Sequence, residues 1–112
     1  MSDLAEFLLA RIAETEKVAR AAMPAEGDWV TVTDGSGDEV VLGMSGTRVI
    51  AECQAKRRIV ALYLGSQDGL ANETDELRRL IAETISNSYV EVLKELAVLY
   101  AGHPDYREEW RP

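Results

Sequence analysis

Leu4, Leu8, Ile12, Ala19 and Ala22 recur at helical spacing, with Phe7 and Val18 widening the stripe. Arg11, Glu14 and Lys17 lie off its centre. This spacing predicts a first helix over residues 3–22. Asp3, followed three positions later by Glu6, resembles a capping box, and Pro24 discourages continuation beyond Ala22 or Met23. The period then changes. Trp29, Thr31 and Thr33 alternate with Val30 and Val32, Asp34-Gly35-Ser36-Gly37-Asp38 supplies turn residues, and Val40, Val41 and Leu42 follow. That pattern predicts a small antiparallel β-hairpin over residues 28–44. Because an isolated two-stranded ribbon is marginal in water, one of its faces is expected to lie on the helices.

Helical spacing returns with Val49, Cys53, Val60 and Leu64, broadened by Ile50, Ile59 and Tyr63. A second helix is predicted over residues 47–64, with Ser45 or Thr47 as its N-cap. Lys56, Arg57 and Arg58 spread around most of one turn of that helix, so a belt paired with neighbouring acids explains them better than a docking patch. The stretch GSQDGLANETDE reads as a loop. After it, Leu77, Leu80, Ile81, Ile85, Tyr89, Val92, Leu93, Leu96 and Leu99 sustain helical spacing up to Gly102. The longest helix is therefore predicted over residues 74–101, with Ser86-Asn87-Ser88 as a place where short polar side chains bend or split it. Its apolar surface exceeds what two short helices and a ribbon cover. Ile81, Ile85, Tyr89, Val92 and Leu96 are the residues expected nearest a homodimer seam, with Leu77 extending it.

The chain ends YAGHPDYREEWRP. Pro104 can open a short helical turn, which sets Tyr106 and Trp110 four apart on one side as an apolar clasp over residues 103–112. Packing onto the protein's own helices is the favoured role of the two rings, and anchoring another chain is the alternative. At 112 residues, one domain spanning 1–112 is expected, with a core built from aliphatic side chains because aromatics make up only 6%. A net charge of −8 disfavours direct contact with nucleic acid and with anionic membrane. No apolar run approaches the ~20 residues of a membrane span, and the acidic start departs from a secretory leader, so cytoplasmic residence is the expectation.

Little catalytic chemistry is visible. Cys53 is the only cysteine, sits within an apolar helical pattern and reads as a small buried hydrophobe. His103 is the only histidine and has no adjacent Ser or Cys nucleophile. The glycine-rich turn at 35–37 lacks the Lys-Ser or Lys-Thr pair of a phosphate loop and precedes a strand. The numerous acids fit solvated helix faces better than a tuned acid/base pair. No catalytic residue, cofactor or metal is expected.

The strings LAEFLLARIAETEKVARAA, PAEGDW, RVIAECQAKRRIV and YAGHPDYREEWRP together resemble a family of small actinobacterial and actinophage proteins known as domain of unknown function 6221. The likeness covers roughly residues 1–30, 47–62 and 96–112. It implies an actinobacterial or phage setting and transfers no activity or binding residue. Many relatives have His-Asp-Pro before the second helix, where this chain has Met44-Ser45-Gly46. Some carry several Cys and His residues before the terminal string; with Cys53 and His103 alone, a zinc site of that type cannot be completed here.

The expectation is thus an α+β protein, mostly helical, with three main helices and one small hairpin between the first two. Its expected role is that of a non-enzymatic interaction module, an accessory protein of a phage or mobile element that forms a homodimer. Two alternatives stand beside it. One is an acidic inhibitor occupying the basic surface of a host nucleic-acid-binding or defence protein, and the other is a small metabolic enzyme.

Overall fold

A computed structural model of the chain describes the backbone of residues 2–22, 29–33 and 39–112, and the side chains of residues 2–21 and 46–112. Its body is three helices: α1 (Asp3–Ala22), α2 (Gly46–Asn72) and α3 (Glu76–Ala97). Two single 3-10 turns follow, at Val98–Tyr100 and Glu108–Trp110.

Each helix boundary has a local cause. Ser2 caps α1: its hydroxyl accepts from the Ala5 amide at 3.1 Å and its carbonyl from the Glu6 amide at 3.0 Å. The expected cap at Asp3 is therefore displaced by one residue, and the Asp3 carboxylate instead accepts from Arg107 at 2.9 Å. α2 runs eight residues past the predicted end at Leu64, through Gly65 and Gly69. α3 starts at Glu76 because the side chain of Asp75 accepts from the Arg78 amide at 2.9 Å. The break anticipated at residues 86–88 does not occur. Ser86 turns inward, and Ser88 bonds back to the Thr84 carbonyl at 3.0 Å within an unbroken helix.

The helices bury their stripes on one another. α2 packs against both α1 and α3, and α1 closes onto α3. The buried cluster comprises Leu4, Ala5, Phe7, Leu8 and Ile12 of α1, Cys53, Val60 and Tyr63 of α2, Leu93 and Ala97 of α3, and Trp110 from the tail. Glu16 meets Arg57 near one end of the α1–α2 contact, and Ser2 lies by Tyr63, Leu64, Gln67 and Asp68 near the other. α1 therefore runs antiparallel to α2. Gln67 meets Ser86 and Lys56 meets Tyr100, so α2 also runs antiparallel to α3.

The α+β expectation is corrected. Over the residues whose side chains are described, 85% are helical and none lies in a strand, so the body contains no sheet and no hairpin layer. Outside it, backbone pairing joins β1 (Trp29–Thr33) to β2 (Glu39–Ser45), with Thr31 opposite Val41 and a slip between Trp29 and Val30. A single two-stranded ladder presents too little apolar surface to form a layer. The helical stripes bury one another and the tail instead. The turn cluster Asp34–Asp38 and the Pro24 stop lie outside the described residues.

The molecule is long and thin. It extends 59 × 28 × 18 Å with a radius of gyration of 17.7 Å. A compact domain of this length has a radius of gyration of about 13 Å.

Candidate functional site

The seven residues singled out from the sequence separate into two groups. Tyr106 and Trp110 face inward. Trp110 is 8% exposed, and its ring centroid lies 5.0 Å from that of Phe7 and 5.8 Å from that of Tyr106. Tyr106 meets Phe7 edge-on at 6.1 Å. Three arginines flank the cluster: Arg11 over Phe7 at 5.3 Å, Arg107 over Trp110 at 5.4 Å and Arg111 over Tyr106 at 5.8 Å. Trp110 is therefore committed to the protein's own core and is not presented as a docking anchor.

His103 belongs to this clasp. The Asp105 amide donates to its Nδ1 at 3.0 Å, and Arg11 Nη1 lies against the ring, in contact with Nε2. Phe7 lies edge-on to the imidazole at 5.8 Å. Arg11 also bonds Glu14 at 3.1 Å, while its Nε is buried and unpartnered. These contacts tie the tail to α1. Reading the sequence alone missed Phe7 and Arg11 as its receptors, since nothing local links positions so far apart along the chain.

The five α3 residues divide again. Tyr89 and Leu96 are half-buried against the core, with Val90 beside them. Ile81, Ile85 and Val92 stand out at 53%, 48% and 44% exposed, together with Leu77 at 67%, Leu80 at 60% and Leu99 at 65%. Ile85, Val92 and Leu99 are spaced by seven and Leu77, Ile81 and Ile85 by four, so five of these six residues share one stripe, with Leu80 at its edge. The buried positions Ser86, Leu93 and Ala97 occupy a different face. The seven-residue spacing ending at Leu99 was the signal that could have added this residue to the expected seam.

Two of the three basic residues on α2, Lys56 and Arg57, are engaged within the protein, while Arg58 is exposed. Arg57 donates to Glu16, and Lys56 reaches the Tyr100 hydroxyl at 3.3 Å. Arg20 also donates to Glu16, at 2.8 Å. The two guanidinium partners, Arg20 first, hold the Glu16 carboxyl below its ordinary value. Burial pushes the Cys53 thiol up, with the thiol 1% exposed inside the core. That environment suits a packing residue, because the reactive form is the thiolate. Among the described residues, no group of three or more His, Cys, Asp or Glu is placed to hold a metal ion, and no helix is long and apolar enough to cross a membrane.

A family model matches residues 1–112, the entire sequence, and describes a family of unknown function, DUF6221. The chain belongs to this family. No curated protein and no solved structure matches it.

Proposed function

We propose that this DUF6221 protein is a non-enzymatic interaction module that self-associates through α3. The observation that carries this reading is the exposed aliphatic stripe of Leu77, Ile81, Ile85, Val92 and Leu99, edged by Leu80. Scattered exposed leucines need no explanation, whereas exposed aliphatic side chains aligned along one face of α3 and the turn after it, with Thr84, Ser88 and Glu95 among them, support a contact surface.

Magnitudes favour association at accessible concentrations. Complete burial of one such side chain contributes on the order of 1.5–3 kcal/mol, and about half of each is still exposed, so the stripe holds ~5–10 kcal/mol per copy. Two copies together exceed the lower part of the ~4–15 kcal/mol cost of association, so burial of the stripe can offset that cost. The acidic-inhibitor alternative gains less support: Glu14, Glu16, Glu52, Glu91 and Glu108 each pair with a basic side chain, so these acids are interleaved with cations. A phage or mobile-element accessory role in an actinobacterial setting, suggested by the resemblance in sequence, forms part of the proposal, with cytoplasmic residence as read from the acidic start and the short apolar runs.

Light scattering across a concentration series tests it. A mass rising above the 12.4 kDa of one chain is expected, with Ile85→Glu holding the monomer mass and keeping the wild-type circular dichroism. A wild-type mass that stays at one chain throughout would overturn the reading.

A further inference from the structure

We propose that the cleft between the start of α1 and the later turns of α2, lined by Ser2, Tyr63, Leu64, Gln67 and Asp68, binds an organic ammonium ion, a primary amine carried on a short apolar body. None of these residues belongs to the exposed stripe of α3, so the site is independent of self-association.

Tyr63 is 6% exposed, yet its hydroxyl has no hydrogen-bond partner among the described residues. Buried tyrosines usually satisfy that group. The Tyr100 hydroxyl accepts from Lys56 at 3.3 Å, and that of Tyr106 is unpartnered but sealed within the clasp. The Tyr63 hydroxyl is not sealed in this way: the residue packs into the core and borders the cleft. A donor and acceptor of fixed position is thereby left unspent on the cleft wall.

The cleft holds about 560 Å³, within the ~300–1,000 Å³ of small-molecule sites, which combine apolar walls with a few placed polar groups. Leu64 and the Tyr63 ring supply the apolar wall. The polar groups select the ligand. Asp68 is exposed, and its carboxylate makes no ion pair among the described residues. Gln67 donates its Nε2 to Ser86, which fixes the side chain and leaves its carbonyl oxygen to accept. No Lys, Arg or His is among the described residues that line the cleft. Acceptors therefore outnumber donors and the one formal charge is negative, which suits a cationic group carrying several N–H donors. An anion is disfavoured. The start of α1 does bring the positive end of a helix dipole to the cleft, but Asp3 and Glu6 occupy its first turn, and Ser2 already accepts from the Ala5 and Glu6 amides. Little is left there to offset Asp68.

Hexylammonium, hexanol and hexanoate share one chain and differ in charge, so titrating each into the isotope-labelled protein by NMR tests the assignment. Hexylammonium should shift the Ser2, Leu64, Gln67 and Asp68 amides to saturation and bind more tightly than hexanol, with hexanoate weakest. Because water screens an exposed carboxylate, Asp68→Asn should weaken hexylammonium by about three- to fivefold, and added salt should weaken the wild type in parallel. Tyr63→Phe should weaken both hexylammonium and hexanol by about threefold or more. Asp68 lies on the surface, so the circular dichroism and melting curve of Asp68→Asn should match wild type and assign its loss to the ligand contact. Hexanoate binding as tightly as hexylammonium, an affinity unchanged by Asp68→Asn, or hexylammonium shifts that do not saturate or that fall on α3 instead would overturn the site.

Discussion

The Trp110 indole lies 5.0 Å from the Phe7 ring, tilted by 45°, although 103 residues separate the two positions. The C-terminal end of the chain is thereby part of the α1 core. Asp3 and Arg107, 2.9 Å apart, close the same contact from the outside.

Removing the tail should therefore weaken the fold itself. Trp110→Ala vacates a buried aromatic site, a change that costs about 3–5 kcal/mol in well-packed cores, and truncation after Gly102 also removes Tyr106 and the Arg107 contact. A melting temperature lower by on the order of 10 °C is expected for Trp110→Ala in calorimetry, with a larger loss for the truncation. Unchanged melting in both variants would refute the clasp.

Acid should loosen the α1–α2 contact at Glu16. In the folded chain its carboxyl is held below the ordinary value of 4.5 by Arg20 and Arg57. A carboxyl depressed in the folded state contributes stability that is present above the unfolded value and lost as pH falls through the folded one. Urea midpoints should consequently drop as pH is lowered from about 5 to below 4. Glu16→Gln, which cannot titrate, should be less stable than wild type at pH 7 and should show a shallower decline across that window. Equal slopes would assign the acid sensitivity elsewhere, with Glu108, whose carboxyl is lowered by Arg111, as the next candidate.

Ser86 and Gln67 form a polar contact between α2 and α3 at the edge of the unburied stretch 64–85, with Ser86 only 1% exposed. Deleting one partner strands the other: Gln67→Ala or Ser86→Ala should each cost about 1–2 kcal/mol in chemical denaturation. The double replacement should cost less than the sum, since it removes donor and acceptor together. Strict additivity would show that the pair does not couple the helices.

Periodicity carried much of this architecture. The stripe of Leu4, Leu8 and Ile12 placed α1, and the apolar spacing that includes Ile85 and Leu93 placed α3 without separating its buried positions from its exposed ones. It failed where tertiary contact overrides local preference. Residues 65–72 contain two glycines and read as a loop, yet they continue α2, with Gln67 facing Ser86. Ser86 was read as a helix breaker, but buried against α3's partner it becomes a packing residue. Alternation over 28–44 suggested a sheet face resting on helices, while the helices found their partners in one another and in the tail. The clasp was half legible: the Tyr106–Trp110 spacing could be read locally, whereas Phe7 and Arg11 were beyond any local pattern.

Gly65 and Gly69 give the last test, because they explain both the misread loop and a reserve of stability in the distal part of α2. Both lie inside α2, and a Cβ built at either position meets nothing within 4 Å. Glycine in a helix interior costs roughly 0.5–1 kcal/mol relative to alanine, mainly through the larger freedom of the unfolded chain. Gly65→Ala and Gly69→Ala should each stabilise by about that amount, and the double variant should melt several degrees higher. If residues 65–72 were instead a loop, alanine there would bring no such gain. An unchanged or lower melting temperature in both single variants would therefore count against the helical continuation of α2 to Asn72.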